Sequence, residues 1–128
     1  MKHLLLITSL LFSSLLFSQP SISRAHEFCF GTRETISENF VWSDNIQCNF
    51  LIVASDQTVT VHAKKKFEYY TIEDLGENED RTTHKFLMLD QDGKKCHLFV
   101  TRFEDIVCII VEYADTGIIY FTKAASEN

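Results

Sequence analysis

The chain has 128 residues, with 18 Asp and Glu against 12 Lys and Arg and a formal net charge of −6. An acidic balance with a single short basic run argues against nucleic acid or an anionic membrane surface as partner, since holding phosphates takes clustered Lys and Arg. Solubility accounts for the charge.

Met1 to Ala25 reads as an export signal. Lys2 and His3 open it, Leu4 to Phe17 is an apolar run too short for a membrane span, and Ser23-Arg24-Ala25 offers small residues where a signal peptidase reads them. Processing is therefore expected before His26, with a retained anchor as the alternative, and no Cys directly follows the run to take a lipid. Residues 26–128 are then one exported β domain, periplasmic or fully secreted, of about 103 residues and about −8 in charge. No membrane span is expected after the signal is removed.

Four cysteines, Cys29, Cys48, Cys96 and Cys108, fall in the exported part, where disulfides are expected. Cys29 with Cys48 is the favoured bridge, closing an N-terminal loop. Two bridges tying Cys29 and Cys48 to the C-terminal strands are the other scheme.

Thr32 to Trp42 (TRETISENFVW) combines a helical Ile36/Phe40 spacing with a strand-like Phe40-Val41-Trp42, and predicts a short helix or an irregular arm. Asn49 to Ala54 and Thr58 to His62 predict a hairpin around Ser55-Asp56-Gln57, with Val59 and Val61 inward and Thr58, Thr60 and His62 outward. Lys64-Lys65-Lys66 is a solubilising turn, Phe67 to Ile72 a strand, and Glu73 to Arg81 an acidic loop interrupted by Gly76. That loop lacks the ligand order of a calcium site.

Phe86 to Thr122 predicts an antiparallel meander. Asp92-Gly93 suits a two-residue hairpin turn, and with these as central residues Met88 faces His97 and Leu89 faces Cys96. Leu87, Leu89, Cys96, Leu98 and Val100 then share one face, and Phe86, Met88, His97 and Phe99 the other. A four-residue link over Arg102 to Asp105 places Val100 opposite Val107 and leaves Cys96 out of step with Cys108, beyond disulfide reach. Ile106 to Tyr113 is apolar on both faces, which predicts a central strand covered on each side.

The whole is mainly β: an antiparallel up-and-down meander forming a small barrel or sandwich, with the N-terminal arm or helix packed beside it. A single flat sheet is the other arrangement. Phe86, Met88, His97, Phe99 and Phe121 are the candidate apolar pocket or partner face. The aromatic set Phe86, Phe99, Phe121, Tyr69 and Tyr70 is read first as ordinary core, with a pocket lining if the sheet closes, or a partner surface if it does not, as the functional alternatives.

No catalytic constellation is present. Cys96 and His97 are neighbours on a strand and point apart, and neither a Gly-x-Ser-x-Gly nor a phosphate-binding glycine loop occurs. His26, His62, His84 and His97 lack ligand spacing, so neither a metal nor a cofactor is expected. A non-enzymatic binding or interaction module acting on an envelope or secreted protein is the leading expectation. An inhibitor or immunity-type protein presenting the Glu73 to Arg81 loop to a secreted hydrolase, or a carrier of a small apolar ligand, are the alternatives.

The pattern Asp90-x-x-Gly93-x-x-Cys96, followed by Val111-Glu112-Tyr113, a short turn and Tyr120, resembles a group of small exported bacterial proteins of unknown function over roughly the last eighty residues. The resemblance implies a signal peptide and a compact β domain and carries no catalytic residues. The pair Cys29 and Cys48 is not part of it.

Overall fold

Alternation of apolar and polar side chains sets the strands, and the turns between them set the register. A computed structural model describes residues 21–126. The strands in chain order are β1 (Ser21–Thr32), β2 (Val41–Trp42), β3 (Ile46–Ala54), β4 (Thr58–His62), β5 (Lys66–Glu77), β6 (Thr83–Asp90), β7 (Lys95–Phe103), β8 (Ile106–Tyr113) and β9 (Ile118–Ser126). From β3 to β9 each strand pairs antiparallel with the next, and β1 pairs with both β3 and β9. The sheet therefore closes into an eight-stranded up-and-down barrel, with β2 a short addition to β1. Closure leaves no free edge along the barrel wall and encloses an interior about wide enough for side chains or one small ligand.

The β6–β7 turn differs from the expected one. Gly93 has φ of 80°, whereas Gln91 and Asp92 are not among the residues with positive φ, which rules out the mirror-image two-residue turn. The loop has three residues, Gln91 to Gly93, between Asp90 and Lys94; Asp90 N–H donates to the Lys94 carbonyl at 2.9 Å. The Asp90 carboxylate fixes this loop by accepting from Asp92 N–H at 3.0 Å and Lys94 N–H at 2.8 Å. The extra loop residue slips the pairing by one, to Met88 with Cys96 and Phe86 with Leu98. A one-residue slip exchanges faces. Phe86 and Met88 therefore point inward with Cys96, Leu98 and Val100, while Leu87, Leu89, His97 and Phe99 point outward. At β7–β8 the link is two residues, with Glu104 at φ of 51°, and Val100 pairs with Ile109. That shift of two preserves the expected faces.

The core lies inside the barrel. Ala25, Ile52, Met88 and Leu98 are essentially inaccessible, with Val59, Tyr69, Cys96, Ile109, Val111 and Ala124 around them. Val59 and Val61 point inward as the alternation of TVTVH predicts. The expectation that β8 is buried on both sides is corrected: Ile109 and Val111 are buried, but Cys108 and Ile110 on the outer side are only half-buried. In a closed barrel the sequence neighbours of inward residues face out, and only flanking side chains shade them.

Of the two alternatives for the arm, the irregular one holds and one further expectation changes. The arm from Arg33 to Phe40 contains bends and turns but no helix. Its shape is set by Arg33, which reaches Glu112 at 3.0 Å and lies 4.2 Å over the Phe40 ring, and by Trp42, whose ring lies against Gly31. Glu73 to Glu77, expected to be loop, belongs to β5, which stays paired with β6 through two irregularities. The exposed turn shrinks to the residues around Asn78 to Thr82, where the Asn78 side chain accepts from Thr82 and Thr83 N–H.

The expected signal lies largely outside the described residues. Its last five positions do not: Ser21 to Ala25 open β1, pair with Ala54 to Phe50, and from Ser23 onward also pair with β9. The expected domain start at His26 thus falls inside a strand.

Candidate functional site: the barrel interior

Inward side chains of an eight-stranded barrel meet in layers. Here Ile52, Val59, Leu98 and Ile109 meet across the middle and divide the interior into two cups, since all four line both. The waist is tight because Leu98 and Ile52 are 0% and 1% exposed.

The first cup opens beside the β6–β7 turn and has a volume of about 360 Å³. Phe28, Phe50, Val61, Tyr69, Val111 and Tyr120 form its wall, with Phe67 at the mouth. Phe28 and Phe50 pack at 6.0 Å between centroids, and Tyr113 meets Tyr120 edge-on at 6.3 Å. This is the size and character of a small-molecule site: mostly apolar and aromatic, with a few converging polar groups.

Tyr69, Asp90 and Tyr113 are polar groups of this lining, and the buried Cys96 lies on β7, the strand between those of Asp90 and Tyr113. Tyr69 is the direct cross-strand partner of Asp90, and Tyr113 donates to Asp90 Oδ2 at 2.8 Å. Tyr69 and Cys96 stand close enough to Tyr113 for each to bear on its ionisation. Burial pushes the Tyr69 phenol up to about 12, and also raises Tyr113, whose proton the neighbouring Asp90 carboxylate holds in place. Burial, then the Asp90 charge, pushes the Cys96 thiol up to about 11. Partial burial works against ionised Asp90, but the N–H groups of Lys94 and Asp92 and the Tyr113 hydroxyl outweigh it and hold the carboxyl below its usual value. Near neutral pH the cluster is one fixed anion ringed by protonated donors.

The second cup, at the opposite end, is larger at about 750 Å³ but ringed by polar side chains including Ser23, Ser55, Asp74, Arg81 and Arg102. Phe86 and Met88 lie on its floor, and the Thr71 hydroxyl donates to the Met88 sulfur at 3.3 Å. His84 stacks on Phe86 at 4.3 Å and hydrogen-bonds Asp74.

The expected face of Phe86, Met88, His97, Phe99 and Phe121 is therefore not one surface. Phe86 and Met88 lie inside the second cup. Phe99 and Phe121 lie outside, in a row across four strands in which Lys85 pairs with Phe99, Phe99 with Ile110 and Ile110 with Phe121. His97 is also outside, opposite Glu112. Of the aromatic set, Tyr69 lines the first cup, while Tyr70 is exposed and donates to Glu68 at 2.7 Å.

All four cysteines are free, so the Cys29–Cys48 bridge is corrected. Cys48 packs against the core, whereas Cys29 lies on the outer side with Cys108 and Phe121. The irregularity between Ala25 and Glu27 reverses the facing of the end of β1 and puts the two sulfurs on opposite sides of the wall. Cys29 and Cys108 share the outer side but are separated by β9, a two-strand spacing of about 9.6 Å that exceeds disulfide reach.

Asp90 and Tyr113 were missed as site residues. Asp90 belonged to a turn motif and Tyr113 to a strand end, and only closure brings both to the cup; the alternation in Phe67-Glu68-Tyr69 was the available signal. Among the described residues no group of three or more His, Cys, Asp or Glu is arranged to hold a metal ion, and no helix is long and apolar enough to cross a membrane. Compared with protein-family models, with curated proteins and with solved structures, the chain matches none.

Proposed function

We propose that the protein is an exported, non-enzymatic binding module whose ligand is a small apolar molecule held in the first cup. The aromatic-walled cavity of about 360 Å³, open at one end and floored by the waist, is the observation that carries this reading. A ligand there gains from apolar burial at roughly 25 cal/mol per Å² and meets a wall already ordered by the barrel. The raised Tyr69 and Cys96 values support binding over catalysis, since a protonated phenol and thiol are poor nucleophiles. Outward-facing Lys85, Glu112 and Lys123 put charged side chains among the apolar ones of the outer wall, which supports a water-exposed location.

The test is titration with N-phenyl-1-naphthylamine, a neutral apolar fluorophore. Saturable one-to-one enhancement, abolished when Val111→Trp fills the cup in a protein that still shows β circular dichroism, is the expected result. Absence of saturable binding by the unsubstituted protein overturns the proposal.

A second reading rests on the outer row. Phe99, Ile110 and Phe121 lie side by side and half-buried, which suits a face for an envelope or secreted protein. Phe121→Lys reducing capture of a specific envelope protein, with fluorophore binding unchanged, supports it; equal capture by both proteins counts against it.

A further inference from the structure

The waist that floors both cups is built from opposite sides of the ring. In the order of strands around the barrel, β3 stands four places from β7 and β4 four places from β8, so Ile52 lies opposite Leu98 and Val59 opposite Ile109. All four belong to one apolar cluster, and none is more than 6% exposed. Of the three largest fully buried side chains, Ile52, Met88 and Leu98, only Ile52 and Leu98 line both cups. The depth of the first cup follows from its strands. Val59, Val61 and Ala63 line it along and just past β4, and Ile109, Val111 and Tyr113 line it along β8 on the other side. From waist to mouth that is about 13 Å of strand and, at a tilt of roughly 40°, about 10 Å along the axis, the extent of a straight chain of about eight carbons. The volume of about 360 Å³ is small for a ligand pocket.

We propose that the waist sets the length of the ligand: the first cup takes short apolar groups, up to about eight to ten carbons, and Leu98 with Ile52 stops the end of any longer chain. A chain gains about threefold to fourfold in affinity for each methylene that leaves water. Once its end meets the waist, a further methylene only lengthens the part outside the mouth and gains nothing. The second cup, of about 750 Å³, lies directly behind the waist, so shortening Leu98 lets the chain end through. The inference rests on the cup being a ligand site.

The experiment is displacement of bound N-phenyl-1-naphthylamine by hexyl, octyl, decyl and dodecyl maltosides, each kept below its micelle-forming concentration. The disaccharide head stays in water at the mouth, so the chain enters tail first. A gain of about tenfold from hexyl to octyl, falling below about twofold from decyl to dodecyl, is the expected result. Leu98→Ala is expected to restore about tenfold between decyl and dodecyl. Val61→Phe serves as the second variant because it deletes nothing from the core: a ring one level on the mouth side of the waist shortens the cup, and octyl is expected to gain less than about twofold over hexyl. A constant gain per methylene from hexyl to dodecyl, a break that stays in place in Val61→Phe or in folded Leu98→Ala, or no displacement by any maltoside, in a protein that binds the fluorophore, overturns this inference alone. Failure of the fluorophore to bind overturns the cup as a site, and the inference with it.

Discussion

Gly117 and Gly93 both have positive φ, 69° and 80°, in turns at the same end of the barrel, yet they stand in different surroundings. A Cβ on Gly93 meets nothing within 4 Å, whereas on Gly117 it lies 2.0 Å from the Arg33 carbonyl oxygen. Gly93→Ala therefore costs only the left-handed backbone, about 1–2 kcal/mol. Gly117→Ala adds a backbone overlap that no rotamer relieves. Moving Arg33 away breaks its N–H bond to the Gly117 carbonyl, now 3.0 Å, and loosens the half-buried Arg33–Glu112 pair, at about 1 kcal/mol each. The expected totals are about 1–2 kcal/mol at Gly93 and 3–4 kcal/mol at Gly117, a difference equivalent to roughly 10 °C in melting temperature for a domain of this size. Urea unfolding by circular dichroism measures both. Trp42, the only tryptophan, packs on Gly31 beside this contact, so its emission should shift red in native Gly117→Ala and not in Gly93→Ala. Equal destabilisation of the two variants, or an unshifted Trp42, refutes the account of the arm as anchored at Gly117.

Leu98→Ala removes the centre of the waist, and a closed wall cannot collapse into the gap; a loss of about 3–5 kcal/mol in urea unfolding is expected, and a loss under 2 kcal/mol shows that the waist is not packed. All four thiols should react with a disulfide reagent in urea, while Cys96 in the native protein resists at pH 8 and reacts only as pH rises toward about 11, because the thiolate is the reactive form; fewer than four thiols in urea contradicts the free state. Because Ser23 and Ala25 are buried in β1, the intact mass of the folded protein after any processing should place its N-terminus at or before Ser21, and a mass starting at His26 contradicts the role of those residues in closure.

Much of the wall was legible in local pattern. TVTVH gave its own inward face, and the faces of β8 survived a wrong link length because the error was two residues and the side-chain period is two. The β6–β7 register was not legible to the same degree. Asp-Gly serves both a two-residue turn and the end of a three-residue one, and what decides between them is the Asp90 side chain reaching two N–H groups. That single residue moved Phe86 and Met88 to the opposite side from His97 and Phe99.

The cup itself was legible only conditionally, because it depends on closure. Closure pairs β1 with β9, the two ends of the described chain, and part of β1 was read as a processing signal. Residues from distant stretches, such as Phe28, Tyr69 and Tyr113, become neighbours only through that contact. A turn residue such as Asp90 gives no local hint that its other oxygen faces a cavity.

The central claim is that the barrel interior, and not its outer wall, receives an apolar ligand. Methyl-region NMR during titration with N-phenyl-1-naphthylamine tests this directly. Saturating shifts centred on Val61, Val111 and Ile118, with Leu87, Leu89 and Ile110 unmoved, are the predicted result. Shifts centred on the outer residues, with the first-cup methyls unmoved, would contradict it.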